Sequence, residues 1–398
     1  MATPLRFLLF FGTLSLVVVL GHVYLYRRLF RDTAKHPGWR RAGMVAMALL
    51  AFLMISWRLL PRLLPAEVAS ALGKLGWLWM GAATYLLLAV LSLGGVQKLL
   101  GWLKRRRAAE AAPAPVVSEE RRQFLARASA GAALVASGGV ASYGMWRAYT
   151  PPVVNEIAVR LPGLPKALDG FSIIQLSDIH VGPLIQRRFM DALVSQSNAL
   201  KGDLVCITGD LVDGSVEELG FAASALSNLR SRHGTYFVTG NHEYFSGDEA
   251  WAEALTRMGL TVLRNRHVRI GEPGASFDLV GVDDFAARRS GYPASRSYDL
   301  AAATAGRDPS RASVLLAHQP SGWRDQALKA GMGLQLSGHT HGGQFFPFNL
   351  VVSAVWEHDA GLFHEGQGHL YVSRGTGFWG PPLRVAAPSE IVKVTLLA

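Results

Sequence analysis

The sequence predicts two regions of different fold class, an all-α transmembrane region in residues 1–150 and an α/β domain in residues 151–398. Hydrophobic residues make up 50% of the chain and the mean hydropathy is +0.21, which is too apolar for an ordinary soluble enzyme. From Pro151 onward, short β-branched runs alternate with amphipathic stretches. This alternation is typical of an α/β sheet.

Three apolar runs within residues 1–107 predict three transmembrane helices, at residues 5–26, 42–57 and 75–97. A helix needs about 20 apolar residues to cross the hydrocarbon core, and the second run is the shortest of the three. A fourth run, residues 129–149, is rich in Ala, Gly, Ser and Val and is only weakly hydrophobic. It predicts either a fourth transmembrane helix or a signal-like segment that is cleaved.

The positive charge of the chain lies in its first part. Residues 1–150 carry 19 Lys and Arg against 5 Asp and Glu, whereas residues 151–398 carry 21 against 24. An enzyme that acts on long nucleic acids carries its basic excess on the domain that binds the substrate. The distribution therefore argues against nucleic acid as a partner and associates the basic residues with the apolar segments.

Two loops, residues 27–41 and 98–127, hold most of these basic residues, and short loops rich in Lys and Arg stay in the cytoplasm. With four helices, this rule places residues 151–398 on the outer face of a multi-pass membrane protein. With three helices, the same residues would face the cytoplasm.

Residues 108–128 are predicted to be a basic linker with a twin-arginine-like motif, Glu120-Arg-Arg-Gln-Phe-Leu-Ala126. The motif resembles the twin-arginine export signal, Ser/Thr-Arg-Arg-x-Phe-Leu-Lys, but lacks its first and last residues. As an export signal it would make the twin-arginine or Sec machinery a partner of the chain. Alternatively, the Arg pair only satisfies the positive-inside bias before a helix.

A single cysteine, Cys206, lies in an apolar run of the α/β domain. It excludes an intrachain disulfide, a redox pair and a zinc site built from cysteines.

Five of the predicted strands end in a polar cluster. The predicted strands are residues 171–176, 204–208, 236–239, 277–282, 314–317, 334–336, 370–372 and 391–397, with helices near 186–200, 216–230, 247–258 and 322–329. The clusters contain Asp178 and His180, Asp210 and Asp213, Asn241 and His242, His318, and His339 and His341. Because ligands bind beyond the carboxyl ends of the strands in open α/β sheets, these five clusters are expected to meet.

The expected meeting point contains only carboxylate, amide and imidazole ligands. Such a set without thiolate suits Mn, Fe or Zn. The pairs Asp178/His180 and His339/His341 are spaced two residues apart, so in extended chain both side chains of a pair point to one side. The sequence therefore predicts a site for divalent metal ions.

Together the five clusters resemble the calcineurin-like metallophosphoesterase superfamily, whose pattern is Asp-x-His, Gly-Asp, Gly-Asn-His-(Asp/Glu), a lone His and Gly-His-x-His. The resemblance covers residues 171–344. Gly343-Gln344 and the ending around Arg374 and Arg384 are similar to the bacterial membrane-anchored or exported branch. The resemblance implies a four-layer α/β/β/α sandwich and the activity of a phosphoric ester hydrolase. The similarity to the bacterial branch implies that the membrane is a bacterial cytoplasmic membrane, so that the outer face predicted for residues 151–398 is periplasmic or extracellular.

The resemblance also implies a role for each matching residue. One metal ion would be held by Asp178, His180, Asp210 and His341, and a second by Asp210, Asn241, His318 and His339. His242 would act on the substrate, and we predict that Asp213 pairs with His242 and orients it. Two ions about 3.5–4 Å apart, with Mn, Fe or Zn most suitable, would hold a bridging hydroxide that hydrolyses phosphomonoesters or phosphodiesters.

The substrate is less defined, and the sequence identifies no substrate-binding residue. Gly214 stands where the protein-phosphatase branch has an Arg, which argues against phosphoprotein substrates. Arg374 and Arg384 could contact phosphate or form structural ion pairs. Five aromatic residues near the motifs suit either ordinary core packing or an apolar edge for a lipid-linked or nucleotide-sugar phosphodiester or pyrophosphate: Phe345, Phe346, Phe348, Phe378 and Trp379.

Two alternative functions remain open from the sequence. One is a nucleotide phosphodiesterase on the cytoplasmic face, because a domain with a small negative charge can still bind mononucleotides. The other is a degenerate membrane-bound module that only binds. The second alternative predicts missing metal ligands, whereas every expected ligand is present.

Overall fold

The computed structural model describes residues 3–56, 59–107, 118–289 and 291–398. It consists of two compact units. The helical unit contains the described residues up to Gly144 together with Gly380–Pro382, and the α/β unit contains Met145–Trp379 and Leu383–Ala398.

The described part of the helical unit contains five α-helices. They are α1 (Thr3–Tyr26), α2 (Pro37–Ser56), α3 (Leu60–Leu63), α4 (Ala66–Arg107) and α5 (Glu119–Tyr149), the last of which ends in the α/β unit. Among the described residues, four helices are long and apolar enough to cross a membrane, namely all except the short α3. These four correspond to the four apolar runs of the sequence.

Helices α1, α2 and α4 share a small buried core that includes Leu25, Met47 and Leu86. Within it, the indole N–H of Trp79 donates to Nε2 of His22 over 2.9 Å. Many other large apolar side chains of these helices are exposed, as expected of helices whose outer surface contacts lipid.

Helix α5 begins at Glu119, ten residues before the apolar run at 129–149 from which it was predicted. Arg121 and Arg122 of the twin-arginine-like motif therefore lie in its first turn, while residues 108–117 of the predicted linker lie outside the described residues. The extension has a local cause, because residues 119–128 contain neither Gly nor Pro and the two leading glutamates favour a helix N-terminus. Arg122 forms an ion pair with Glu119 on the same helix over 2.8 Å.

The α/β unit contains two six-stranded mixed sheets. Its strands are β1 (Val153–Arg160), β2 (Phe171–Leu176), β3 (Leu204–Thr208), β4 (Thr235–Val238), β5 (Thr261–Val262), β6 (Arg266–Glu272), β7 (Ala275–Gly281), β8 (Ser313–Leu316), β9 (Leu334–Ser337), β10 (Gly361–Glu365), β11 (Gly368–Val372) and β12 (Glu390–Leu397). The first sheet has the order β1-β12-β2-β3-β4-β5, and the second has the order β10-β11-β9-β8-β7-β6.

Where the α/β unit is described, seven α-helices accompany the sheets: α6 (Arg187–Ala199), α7 (Val216–Ala223), α8 (Asn241–Ser246), α9 (Asp248–Arg257), α10 (Ala286–Arg289), α11 (Leu300–Thr304) and α12 (Phe348–Val355). One apolar core joins the first sheet to α6, α7 and α9, and a second lies between the two sheets. A third joins the second sheet to α11 and the turn at Trp323–Ala327. Three cores between four layers confirm the predicted α/β/β/α sandwich.

All eight predicted strands are present, within two residues at each end, but four further strands were missed. The missed strands are β1, β5, β6 and β10, and each is the outermost strand of a sheet. Outermost strands face solvent and lack the continuous apolar run that marks a central strand, so the sequence pattern is weak there. The helix predicted at 216–230 is shorter in the structure, where α7 ends at Ala223. Helices α8, α10, α11 and α12 were not predicted.

The ends of the two sheets meet through buried polar contacts. Nε2 of Gln175 in β2 donates to the carbonyl oxygen of Ser337 in β9 over 2.9 Å. Nδ1 of His318, just after β8, lies 2.8 Å from the carbonyl oxygen of Thr208 in β3. The loops after β2, β3, β4, β8 and β9 are thereby brought together at one end of the sandwich.

Candidate metal centre

Five of the predicted metal ligands have a left-handed backbone conformation. Their φ angles are 52° at Asp178, 55° at His180, 50° at Asp210, 73° at His339 and 53° at His341. This region is uncommon for residues other than glycine, and each such residue costs on the order of 1 kcal/mol. Strain of this kind persists only where the surrounding structure enforces it, and it is concentrated at functional sites.

Two glycines allow the ligand loops to approach each other. A Cβ atom at Gly338 would collide with Oγ of Ser177 and with the carboxylate of Asp178. A Cβ atom at Gly240 would collide with the carboxylate and the backbone nitrogen of Asp210. Both glycines are therefore required by close packing around the carboxylates.

The first group of ligand atoms comes from Asp178, His180 and His341. Nε2 of His180 lies 3.1 Å from Nε2 of His341, which lies 3.4 Å from Oδ1 of Asp178. Nε2 of His180 is also 3.9 Å from Oδ2 of Asp210. Burial, with the nearby His180 and Arg384, holds the pKa of His341 well below its usual value, so its ring is neutral as metal binding requires.

The second group surrounds Nε2 of His318. This nitrogen lies 3.1 Å from Oδ2 of Asp210, 3.2 Å from Oδ1 of Asn241 and 3.1 Å from Nδ1 of His339. The other ring nitrogen, Nδ1, donates to a carbonyl oxygen, so that in the neutral form of the ring, which a metal ion requires, the lone pair would be on Nε2. Burial, followed by the neighbouring His318, lowers the pKa of His339 to about 3, so His339 is neutral as well.

This donor set fits two divalent cations that share Asp210. Nearly all of the converging atoms are acceptors, and acceptors held about 3 Å apart need positive charge between them. Although burial opposes protonation, the carboxylate of Asp210 raises the pKa of His318 well above its usual value. The surroundings of His318 therefore stabilise positive charge. Cations bound between these groups would provide that charge.

Asp213 contacts two histidines at once. Its Oδ1 lies 2.7 Å from Nδ1 of His242, in agreement with the predicted pairing, and 2.9 Å from Nδ1 of His180. Although burial opposes it, His180 and His242 hold the pKa of the Asp213 carboxyl well below its usual value. The same carboxylate therefore fixes the ring orientation of a predicted metal ligand and of the predicted catalytic histidine.

His242 is half-buried beside the ligand groups. Its backbone N–H donates to Oδ1 of Asp210 over 2.9 Å, and its Nε2 lies 3.9 Å from Oδ2 of the same residue. Burial alone would lower the pKa of His242, but Asp210 and Asp213 outweigh burial and raise it to about 9. A cation bound by Asp210 would oppose this effect. The ring is flanked edge-on by Phe245 and Trp379, with centroids at 5.7 and 5.9 Å.

Glu243 supports the centre in a way that the sequence analysis missed. Its buried carboxylate accepts hydrogen bonds from the backbone N–H groups of Gly240 at 2.5 Å, Leu211 at 2.8 Å and Asp210 at 3.0 Å. It thereby ties the loop after β4 to the loop after β3. The available signal was the acidic residue that follows Asn241 and His242, which was used only to recognise the motif.

Arg374 and Arg384 are held by structural contacts. Arg384 is fully buried and donates to the carbonyl oxygens of Arg374 at 2.7 Å and of His341 at 3.2 Å. Arg374 forms an ion pair with the buried carboxylate of Glu390 over 2.5 Å. The alternatives for these two residues were contact with phosphate and structural ion pairs, and the contacts observed are with other residues of the chain.

Comparison with known proteins identifies the family. Residues 171–343 match the family model described as calcineurin-like phosphoesterase. A transmembrane protein with metallophosphoesterase domain from Danio rerio is 34% identical over 406 residues, covering 98% of this chain and 89% of that protein. The chain belongs to the calcineurin-like phosphoesterase family.

Further relatives of this calcineurin-like phosphoesterase come from other organisms. A protein of the same description from Bos taurus is 34% identical over 400 residues, covering 96% of this chain and 87% of its own length. An uncharacterized metallophosphoesterase from Helicobacter pylori strain J99 is 40% identical over 255 residues, covering 64% of this chain and 66% of its own length. As a member of the family, the chain is a metal-dependent phosphoric ester hydrolase whose clustered ligands suit a dinuclear divalent site.

Replacing Asp213 with asparagine tests the contact shared by His180 and His242. Asp213→Asn removes the charge that orients both rings, and supporting residues of this kind typically contribute about 10–100-fold to activity or metal affinity. We expect kcat for para-nitrophenyl phosphate to fall by about that factor. Asp191→Asn is the control, because Asp191 is an exposed partner of Arg187 on α6. Equal rates for both variants would contradict the orienting role.

Replacing Glu243 with glutamine tests the loop anchor. Glutamine keeps one acceptor oxygen and turns an N–H donor toward a backbone N–H, so at least one buried amide loses its partner. We expect the free energy of unfolding to fall by about 2 kcal/mol, measured by denaturation followed through tryptophan fluorescence. The exposed Glu272→Gln is the matched control, and a Glu243→Gln stability equal to that control would refute the anchor.

Proposed function

We propose that this chain is a membrane-anchored phosphoesterase with two metal ions, which hydrolyses phosphomonoesters or phosphodiesters. The observation that carries the proposal is the pair of ligand groups around Asp210. Asp178, His180 and His341 form one cluster, and Asp210, His318 and His339 form another. Oδ1 of Asn241 lies 3.2 Å from Nε2 of His318, and Asp210 also clusters with His180. This grouping supports the predicted division between two ions. One ion would be held by Asp178, His180 and His341, and the other by Asn241, His318 and His339. Asp210 would contact both ions.

When bound, two divalent ions of this kind polarise the phosphoryl group and lower the pKa of a water ligand. The remaining work belongs to the chain. His242 lies next to Asp210 with Nδ1 held by Asp213, so its Nε2 is the atom positioned to give a proton to the leaving oxygen. Asp213 keeps that ring in one tautomer and orientation.

The membrane anchor is supported by the four long apolar helices and by the relatives from Danio rerio and Bos taurus, which are described as transmembrane proteins.

Of the two orientations considered, the distribution of Lys and Arg favours the outer face for the α/β unit at a bacterial cytoplasmic membrane. Export of a folded unit through the twin-arginine route would suit Arg121 and Arg122. Manganese is the metal we favour among Mn, Fe and Zn, because the carboxylate and amide oxygens of the ligand set suit it.

Metal removal and reconstitution test the proposed activity. We expect the full chain in detergent to hydrolyse para-nitrophenyl phosphate or bis-para-nitrophenyl phosphate only after reloading with Mn, Fe or Zn. Asp210→Ala should lower kcat at least 100-fold, because it removes a ligand from both proposed ions, whereas the exposed His364→Ala should leave kcat unchanged. Turnover that survives complete metal removal would refute the proposal.

A reporter fusion tests the orientation. We expect mature β-lactamase fused after Ala398 to make intact cells resistant to ampicillin, since this reporter protects cells only when it lies outside the cytoplasmic membrane and is active after export by either route. The opposite result would place the α/β unit in the cytoplasm. It would then favour the second candidate function, a nucleotide phosphodiesterase on the cytoplasmic face.

A further inference from the structure

The surface of α12 is unusually apolar. Phe346, Phe348, Leu350, Val351 and Val355 are 48%, 49%, 59%, 54% and 73% exposed, and we call these five residues the α12 face. Residues 345–356 contain no charged residue. Contiguous apolar surfaces of this kind are uncommon on soluble monomers and mark sites of interaction with lipid or protein.

Both ends of α12 are attached to the candidate metal centre. Before the helix, the side chain of Gln344 donates to the carbonyl oxygen of Trp379 over 2.9 Å and accepts from its N–H over 2.8 Å. The indole of Trp379 flanks His242. After the helix, the ring of Trp356 packs edge-on against His339 with centroids 5.1 Å apart. The α12 face therefore borders the side of the centre where His242 and His339 lie.

The chain also enters the α/β unit at its metal-bearing end. Val153, the first residue of β1, is paired with Glu390 of β12. Thr376 links Glu390 to β2, because its hydroxyl donates to the carbonyl oxygen of Glu390 over 3.0 Å and its N–H donates to that of Ser177 over 2.7 Å. Ser177 immediately precedes the predicted ligand Asp178.

This entry point lies close to a candidate membrane span along the chain. Helix α5 ends at Tyr149, and residues 150–152 alone separate it from β1. Three residues reach about 10 Å at most. If α5 crosses a bilayer, the end of the sandwich that carries the metal ligands is the end tethered to the lipid surface.

We propose that the α12 face lies in the lipid surface and that the substrate is a phosphate ester of a membrane lipid. This inference rests on the proposed phosphoesterase function. The short tether and the absence of charge in residues 345–356 favour lipid over a protein partner as the occupant. Apolar side chains of such a helix enter the boundary between headgroups and acyl chains by roughly 5–10 Å, which would bring lipid phosphates to the side of the centre where His242 and His339 lie.

The reaction balances with water as the second substrate. Water adds to phosphorus, the bond between phosphorus and the lipid oxygen breaks, and His242 gives a proton to that oxygen. The proton lost by the water restores His242. The products are a lipid alcohol, which remains in the membrane, and a water-soluble phosphate compound.

Site-directed fluorescence tests the contact with lipid. The natural cysteine is fully buried and burial raises its pKa, so a cysteine introduced at an exposed position can be labelled selectively. We would label Leu350→Cys with an environment-sensitive dye in the full chain, reconstituted in nanodiscs that contain spin-labelled phosphatidylcholine. The matched control is Phe221→Cys, which is 76% exposed on α7.

We expect spin-labelled lipid to quench the dye at position 350 at least twofold and to leave the dye at position 221 unquenched. Equal and weak quenching at both positions would overturn the proposal, because the α12 face would then be in water or covered by protein.

Turnover in the same nanodiscs tests the substrate class. The probes are phosphatidic acid as a lipid monoester, phosphatidylglycerol as a lipid diester, and the two soluble nitrophenyl esters. We expect Leu350→Asp to lower the ratio of lipid turnover to soluble-ester turnover at least tenfold, whereas Phe221→Asp leaves the ratio unchanged. The ratio separates loss of lipid access from general loss of folding.

The outcomes separate the two proposals. Soluble-ester turnover without any lipid turnover would overturn the lipid substrate and leave the phosphoesterase intact. Quenching at position 350 without turnover of any probe by the metal-loaded chain would overturn the proposed function, and with it the lipid substrate, while the lipid contact stands.

Discussion

The structure of the α/β unit depends on two buried carboxylates, Asp178 and Asp210, at the point where two sheets meet. Burying a carboxylate costs several kcal/mol unless positive charge or hydrogen-bond donors surround it. Here the donors are few: the backbone N–H of His339 lies 3.0 Å from Oδ1 of Asp178, and that of His242 bonds Asp210. The neighbouring imidazoles provide either protons or lone pairs for cations. The strained backbone, the glycines without space for a Cβ and the buried Glu243 all serve to keep these two carboxylates in place.

A second consequence concerns the link between metal binding and proton transfer. Asp213 contacts His180, a predicted ligand of one ion, and His242, the predicted proton donor. Asp210 in turn bonds the backbone of His242 and lies in both ligand groups. His242 is therefore joined to Asp210 directly and to His180 through Asp213 by short contacts. This geometry explains why His242, although it belongs to neither predicted ligand set, is positioned as firmly as the ligands are.

The features that could be predicted from the sequence are those with a strong local pattern. The central strands have continuous apolar runs, and the ligand clusters follow them directly, so both could be predicted. The outermost strands β1, β6 and β10 could not, because their exposed residues are mixed in polarity, and β5 could not, because it contains only two residues. Glu243 was missed for another reason, since a carboxylate that bonds backbone amides leaves no side-chain partner in the sequence. The aromatic residues near the motifs divide between both interpretations: Phe378 is buried in a core, whereas Phe346 and Phe348 are exposed.

The exposed residues of α12 have a cost that an ordinary soluble enzyme would not sustain. A large apolar side chain that is fully exposed to water forgoes roughly 1.5–3 kcal/mol relative to full burial. The side chains of the α12 face are only partly exposed, so each forgoes part of that free energy, and such surfaces promote aggregation. The cost disappears if the surface meets lipid, and the chain provides the means, because three residues connect a membrane helix to the metal-bearing end. A short tether of this kind also raises the effective concentration of a membrane-bound phosphate ester at the centre. In the arrangement that we propose, an apolar helix that would weaken a freely diffusing hydrolase would, at a bilayer, align the predicted metal ligands with lipid phosphates.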